Sequence, residues 1–123
     1  MPRQHSGRAD TARLREFKAE FFKALGHPLR IWILELLRDR PLSVSQIQDA
    51  TGAPGSSVSQ QLAVLRGRRV VVARRRGTAT IYSVADPALF ELLDVARQIF
   101  NAHLSETVDL LRLVEVEGIA AER

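Results

Sequence analysis

The 123-residue sequence contains no cysteine. Disulfide bonds, thiolate metal ligands and thiol-based redox sensing are therefore excluded. Aromatic residues are also few, with one tryptophan, one tyrosine and five phenylalanines. Three of the phenylalanines fall within residues 17–22, so the first predicted helix is rich in aromatic surface for its length. This helix is expected to bury itself against more than its own domain.

No apolar run in the sequence approaches the roughly 20 residues that cross a membrane. The first seven residues lack the apolar stretch of a secretory signal. We therefore expect a cytoplasmic protein without a membrane partner. The length allows one domain with a modest core. Residues 1–12 are predicted to be a disordered basic tail, residues 13–116 a single domain, and residues 117–123 a frayed tail.

Acidic residues are absent from residues 55–80, which contain six arginines. Residues 81–123 hold eight acids against three arginines. This separation of charge predicts one surface for a polyanion and another surface for a different partner. The residues assigned to the DNA backbone are Arg66, Arg68, Arg69, Arg74, Arg75, Arg76 and Thr78.

Residues 56–66 have the spacing of a short amphipathic helix. Val58, Leu62 and Leu65 recur at i, i+4 and i+7, which places them on one face. The opposite face carries small or uncharged polar side chains, whereas a solvated face normally carries lysine and glutamate. Such side chains can donate to and accept from base edges in the major groove of DNA. The candidate residues for base reading, or for the helix N-terminus, are Ser56, Ser57, Ser59 and Gln60.

The same serines carry a second interpretation. Ser57 and Gln60 fit a capping box, which predicts that Ser56 or Ser57 caps this helix. A capping serine at such a helix start can also meet a phosphate, so both roles can hold together. Two strands, at residues 70–75 and 78–84, are predicted to follow. A helix followed by a basic hairpin is typical of a winged helix-turn-helix.

Three helices are predicted before this recognition helix. The second begins at Pro28, which suits the first helical position, and His27 is expected to cap it. The third covers residues 44–50, behind a capping box of Ser43 and Gln46. The inner stripe of the second helix is predicted to be Leu29, Trp32, Ile33, Leu36 and Leu37.

The last predicted helix covers residues 88–115 and carries a continuous apolar stripe. At 1.5 Å per residue it would be roughly 42 Å long, which exceeds what a small winged domain needs to cover itself. The surplus, with the aromatic first helix, predicts a two-fold homodimer that presents two recognition helices roughly 34 Å apart. The predicted interface residues are Leu14, Phe17, Phe21, Leu93, Phe100, His103, Leu104 and Leu111.

Four segments together resemble the ArsR/SmtB family of small dimeric bacterial repressors: residues 22–30, 33–37, 56–65 and 74–82. They cover most of residues 17–84. The resemblance implies a mostly α fold with a small β-hairpin, in which four helices, two strands and a fifth helix follow one another. It also implies a dimer built from the first and last helices, an inverted-repeat operator, and repression by blocking polymerase.

The sequence departs from this family at its metal sites. Many members carry Cys-x-Cys at the start of the third helix, where this chain has Ser43 and Ser45, which are poor ligands for a soft metal. Other members combine Asp-x-His with His-x-x-Glu on the last helix, and here only the second half is matched, by His103 and Glu106. We expect no metal or other cofactor, and His103 packed or hydrogen-bonded at the dimer seam. A metal- or small-molecule-sensing repressor using these two residues is the alternative.

A second departure lies just after the recognition helix. The family usually has glycine where Arg69 stands, in a left-handed turn. Either Arg69 strains that turn, or Gly67 ends the helix earlier.

The sequence predicts a regulator and not an enzyme, because it contains neither a Ser/His/Asp constellation nor a glycine-rich phosphate loop after a strand. An interaction module that has lost DNA binding is disfavoured by the six unopposed arginines. We predict a homodimeric repressor that binds double-stranded DNA in its resting state.

Overall fold

The computed structural model describes the backbone of residues 2–122 and the side chains of residues 8–115. The chain divides into two compact units, residues 1–86 and residues 87–123. The first unit contains α1 (Pro2–Leu25), α2 (Pro28–Leu37), β1 (Leu42–Ser43), α3 (Val44–Thr51), α4 (Gly55–Gly67), β2 (Val71–Arg76) and β3 (Ala79–Val84), and the second is the single helix α5 (Ala88–Glu122). The mostly α class is confirmed, and the domain predicted for residues 13–116 includes residues of both units.

Both terminal helices are longer than the sequence predicted. α1 begins at Pro2, so the expected tail at residues 1–12 is helical from its second residue. α5 continues to Glu122, through most of the tail expected at residues 117–123. Polar composition does not end a helix by itself, and Gly118 lowers helix propensity by only about 1 kcal/mol. The first and last residues of the chain lie outside the described residues.

The core of the first unit is built on the inner face of α4. Val58, Leu62 and Leu65 are completely buried, which confirms the face predicted from their spacing. Burial of each such side chain contributes about 1.5–3 kcal/mol. The other buried apolar residues of this unit are Ala24, Leu25, Ile33, Leu34, Leu37, Leu42, Ile47, Val70 and Val71.

The inner stripe of α2 differs from the predicted one. Trp32, which was placed on that stripe, is 46% exposed, whereas Leu34 is completely buried. The half-buried Arg30 shares the inner side with Leu34 and Leu37, at the i, i+4 and i+7 spacing of one helix face. With Arg30 on the inner face of α2, the buried face is centred on Leu34 and Leu37, and Trp32 lies outside it.

The predicted caps of α2 and α3 are confirmed. The Nδ1 atom of His27 accepts a hydrogen bond of 3.1 Å from the backbone N–H of Leu29. Ser43 and Gln46 form both halves of a capping box, with distances of 2.9 and 3.2 Å. Each cap satisfies a backbone donor that the helix itself leaves without a partner.

The predicted cap of α4 is wrong. The N-cap residue is Pro54, and no side chain caps this helix. The first helical bond runs from the backbone N–H of Val58 to the Pro54 carbonyl, at 3.1 Å. The helix therefore starts at Gly55, earlier than predicted, and Ser56 and Ser57 lie inside its first turn.

The sheet contains one strand more than predicted, in the order β1-β3-β2. β1 is only two residues long, and Leu42 pairs with Tyr82 of β3. β2 and β3 form an antiparallel hairpin that closes with the pair Arg76 and Ala79, leaving a two-residue loop. Gly77 in this loop has φ 64°, which such tight hairpin turns require and glycine adopts without steric cost. Each strand begins one residue later than predicted.

The turn after α4 places Arg69 in the left-handed conformation, with φ 60°. The backbone N–H of Val70 bonds to the Leu65 carbonyl at 2.9 Å, and that of Arg69 bonds to the Arg66 carbonyl at 3.0 Å. This pair of bonds is a Schellman motif, whose left-handed position glycine normally fills. Of the two alternatives, the structure supports the strained turn, because Gly67 remains within α4.

Replacing Arg69 by glycine is therefore expected to stabilise the protein. A side chain in the left-handed region costs about 1–2 kcal/mol, and the extra freedom of an unfolded glycine offsets part of this gain. The net increase in unfolding free energy should be about 0.5–1 kcal/mol, measured by urea denaturation at a fixed protomer concentration. Arg69→Ala is the control, because it removes the charge and keeps the β-carbon. Equal stability of the glycine and alanine variants would contradict the strain.

Candidate nucleic-acid interface

The outer face of α4 is polar, uncharged and accessible. Ser56, Ser59 and Gln60 are exposed, and Ser57 is half-buried beside the core residue Val58. The predicted base-reading residues thus share one surface, with Ser57 turned partly inward. Their hydroxyl and amide groups both donate and accept, as recognition of base edges in a groove requires.

The start of α4 adds backbone donors to this face. Pro54 has no N–H, and the backbone N–H groups of Gly55, Ser56 and Ser57 precede the first helical bond. Such groups carry the positive end of the helix dipole and favour an anion such as a phosphate. Because no side chain caps α4, these donors are available to a ligand.

The hairpin of β2 and β3 carries the basic part of the surface, which we call the wing. Arg74, Arg75 and Arg76 are all exposed and lie towards its loop, as does the exposed Thr78. Side chains alternate across a strand, so Arg75 lies on the opposite side from Arg74 and Arg76. The wing therefore presents a guanidinium on each side, which suits the backbone of a nucleic acid.

The arginines at the end of α4 have different surroundings. Arg66 is exposed in the last turn, whereas Arg68 forms a salt bridge of 3.0 Å with Glu20 of α1. Arg69 lines a shallow cleft together with Phe17 and other residues of α1. Arg68, which was assigned to the DNA backbone, thus has an intramolecular partner. It lies about 17 Å along the helix from the serine-rich start of α4.

α1 exposes much of its apolar surface within the single chain. Leu14 and Phe17, both predicted interface residues, are 53% and 63% exposed. Phe21 is only half-buried, and its ring packs edge-on against Phe22 with centroids 5.7 Å apart. Phe22 is itself exposed, although the prediction omitted it.

α5 exposes a larger apolar surface. Leu93 is half-buried, but Phe100, Leu104 and Leu111 are each about 60% exposed. The further exposed apolar residues of this helix are Val95, Ile99, Val108, Leu110, Leu113 and Val114. Soluble proteins seldom leave so many apolar side chains together on one helix unless a partner covers them. Neither this helix nor another in the described chain is apolar enough to span a membrane.

His103 and Glu106 lie one turn apart on α5, and both are exposed. The backbone carbonyl of His103 accepts a 3.0 Å bond from the Thr107 hydroxyl, which leaves the imidazole uninvolved in that contact. Among residues 8–115, no three histidine or acidic side chains are grouped as metal ligands would be.

The sequence analysis did not single out Arg30 and Gln61, which lie next to the polar outer face of α4. Arg30 of α2 donates a hydrogen bond of 2.8 Å to the side-chain oxygen of Gln61 in α4. The i, i+4 and i+7 spacing of Arg30 with Leu34 and Leu37 was the available signal, but a charged residue is not normally counted on an inner stripe.

α3 and α4 form a helix-turn-helix, and the basic hairpin follows directly. This order of elements, with a polar outer face on the second helix, defines a winged helix-turn-helix DNA-binding protein.

Comparison with known proteins agrees with this class. Residues 27–72 match the helix-turn-helix model described as "Bacterial regulatory protein, arsR family". The chain is 49% identical over 108 residues to the HTH-type transcriptional regulator Rv0081 of Mycobacterium tuberculosis, covering 87% of this chain and 95% of the relative. The chain belongs to the arsR family of bacterial regulatory proteins. Its predicted identity as a DNA-binding regulator and not an enzyme is confirmed.

Solved structures extend the agreement to the fold. The crystal structure of Rv0081 superposes with a TM-score of 0.71 at 52% identity, covering 77% of this chain and 96% of that one. The winged helix-turn-helix domain of Mb0332 from Mycobacterium bovis, described as homodimeric, also gives 0.71, at 32% identity and with coverages of 76% and 87%. The transcriptional repressor BigR from Xylella fastidiosa gives 0.65 at 28% identity, with coverages of 76% and 95%.

Proposed function

We propose that the protein is a cytoplasmic homodimeric repressor that binds an inverted-repeat operator without needing a metal. The observation that carries the proposal is the surface formed by the uncapped polar α4 and the wing. Over residues 55–80 this surface has six arginines and no acid. Phosphates would bind the helix start and the wing, and base edges would meet the side chains of α4.

The proposed residue roles follow from exposure and chemistry. Ser56, Ser59 and Gln60 read bases, and the N–H groups at the start of α4 bind phosphate. The wing residues with Thr78 hold the DNA backbone on either side, and Arg66 adds a contact near the helix end. Arg68 is left out of this set, because it is paired with Glu20.

A homodimer is supported by the apolar residues that α1 and α5 leave exposed. Phe17 on α1 and Phe100 on α5 are each more than 60% exposed. The Mb0332 domain, with the same fold, is described as homodimeric. A two-fold dimer would present two copies of α4 to successive major grooves, about 34 Å apart, so the operator would be an inverted repeat.

Repression is supported by the similarity to BigR, which is named a transcriptional repressor. A dimer bound across a promoter occupies the surface that polymerase needs. The resting state of the protein is therefore the DNA-bound state. Transcription begins when the protein is released from the operator or diluted.

Selection of duplexes from a random library by the purified protein tests this proposal. The enriched sequences should contain two inverted half-sites whose centres lie about 10–11 base pairs apart. Footprinting should then protect a matching site in the protein's own promoter region, and a transcription assay should show repression. Failure to enrich any sequence, or enrichment of a single isolated half-site, would contradict the proposal.

Operator binding is expected to be independent of metal. Structural zinc takes four ligands and open sites take three, whereas residues 8–115 of one chain contain no group of three histidine or acidic side chains that could hold a metal. Ser43 stands at a position where relatives use cysteine, and its hydroxyl is engaged as the cap of α3. A chelator should leave the affinity for the selected duplex unchanged, and zinc, nickel, cobalt or arsenite should not release it, measured by fluorescence anisotropy.

The variant His103→Ala provides the control for this prediction. It should alter dimer stability modestly and leave the response to each metal unchanged. A tenfold loss of operator affinity at stoichiometric metal, abolished by His103→Ala, would establish the metal-sensing alternative.

A further inference from the structure

Arg30 joins three elements of the first unit through one guanidinium group. Its Nε–H donates to the carbonyl of Ala24 at 2.6 Å, and Nη2 donates to the carbonyl of Lys23 at 3.3 Å. Its Nη1 donates to the side-chain oxygen of Gln61 at 2.8 Å. The side chain thus extends from α2 to the end of α1 and to the middle of α4.

The chemistry of these contacts makes the orientation of Arg30 specific. The carbonyls of Lys23 and Ala24 belong to the last turn of α1, where helix carbonyls lack intrahelical partners and a cation is favoured. A guanidinium is planar and its donors have a fixed fork geometry. Once two donors are fixed on α1, the direction of the third is set, and that donor holds Gln61.

Gln60 and Gln61 are adjacent but have opposite environments. Gln60 is exposed on the outer face of α4, whereas Gln61 is half-buried and bonded to Arg30. Successive residues of a helix lie about 100° apart, so fixing Gln61 also fixes the rotation of α4 about its axis and the direction of Gln60.

A second link between α1 and α4 lies at the far end of the recognition helix. Arg68 pairs with Glu20 at 3.0 Å. Gln61 and Arg68 are seven residues apart, or about 10 Å along the helix axis. These two polar attachments add to the packing of Val58, Leu62 and Leu65 in restraining the direction of the helix.

We propose that Arg30 is a positioning residue for operator recognition, acting on the base-reading face of α4 through Gln61. This inference rests on the proposed function. Base readout requires hydrogen-bond distances and angles within narrow limits, whereas phosphate contacts tolerate displacement of the helix. Loss of the Arg30 link therefore lowers discrimination between sequences more than it lowers the affinity for DNA in general.

The test measures the ratio of dissociation constants for a random duplex and for the selected duplex, by fluorescence anisotropy. Arg30→Met keeps the aliphatic stem and removes the donors, and the ratio should fall about tenfold or more, equivalent to the loss of one good base contact. Gln61→Ala should lower the ratio similarly. Arg40→Met removes an equal charge from an exposed residue after α2, and its ratio should be unchanged.

Two further variants separate positioning from a structural effect. In Gln61→Glu the carboxylate can still accept from the guanidinium, so the ratio should stay near the wild-type value even if both affinities fall. The double variant Arg30→Met with Gln61→Ala should be no worse than Arg30→Met alone, because Arg30→Met has already removed the bond to Gln61. All assays are run well below each variant's midpoint of thermal unfolding.

The outcomes distinguish the two proposals. A wild-type protein that prefers no sequence overturns the proposed function and this inference together. A discriminating wild type whose Arg30→Met and Gln61→Ala variants keep the ratio within about twofold overturns only the role of Arg30. An equal fall of this ratio in Gln61→Glu and in Gln61→Ala also overturns only the role of Arg30. If Arg30→Met does not fold, Gln61→Ala decides, since alanine is favourable in a helix.

Discussion

Leu111→Glu is expected to leave the protein monomeric at concentrations where the unchanged protein is a dimer. Leu111 is 58% exposed in the single chain and follows Leu104 at i+7 on α5. At a two-fold seam the substitution would bury an unpaired charge in each subunit. Such a charge weakens association on the order of 3–5 kcal/mol. Sedimentation over a range of protomer concentrations measures this change.

DNA binding should fall with dimerisation. A monomer presents one recognition helix, so the affinity for the selected duplex should drop at least about 100-fold at a fixed protomer concentration. Gln98→Glu is the control, because it adds the same charge to α5 about 140° around the helix from Leu111. A Leu111→Glu protein that remains dimeric and binds normally would show that the interface is elsewhere.

The inner face of α4 could be predicted because it depends on local periodicity alone. Val58, Leu62 and Leu65 repeat at helical spacing within a short stretch, and all three are completely buried. The caps at His27 and Ser43 are equally local, since each bond spans only two or three residues. The inner face of α4 and these two caps were therefore predicted correctly.

Features that depend on distant residues were missed. Gln61, which accepts from Arg30, and Glu20, which pairs with Arg68, lie 31 and 48 residues from those arginines, and no pattern in the sequence joins them. β1 is two residues long, too short for an alternating pattern to be recognised, and it exists because Leu42 pairs with Tyr82. The prediction for Trp32 was wrong because, in the structure, the inner face of α2 includes Arg30 and leaves Trp32 exposed.

The prediction of a serine cap for α4 was wrong for a different reason. Ser57 and Gln60 fit the capping pattern, but Pro54 and Gly55 allow the helix to begin sooner. The serines then fall inside the first turn, and their hydroxyls are not used as caps. The proposed site gains from this outcome, because the same residues stay available to DNA.

The largest effect on DNA affinity is expected from the wing. The double variant Arg75→Ala with Arg76→Ala removes a guanidinium from each side of the hairpin in both subunits. Each lost phosphate contact lowers the slope of log affinity against log salt by about 0.9, so the slope should flatten by about 3 to 4. Affinity at low salt should fall alike for selected and random duplexes, whereas Arg40→Ala should leave the slope nearly unchanged.

Gln60→Ala should have the opposite pattern. Gln60 carries no charge, so the salt slope should be unchanged, and the affinity for random DNA should hardly move. The selected duplex should lose about 1–3 kcal/mol of binding free energy, because an amide bonded to a base edge is removed. The two variants thus separate base reading by α4 from backbone binding by the wing. If Gln60→Ala keeps full discrimination while the arginine variant loses it, the wing reads the sequence and the assignment is reversed.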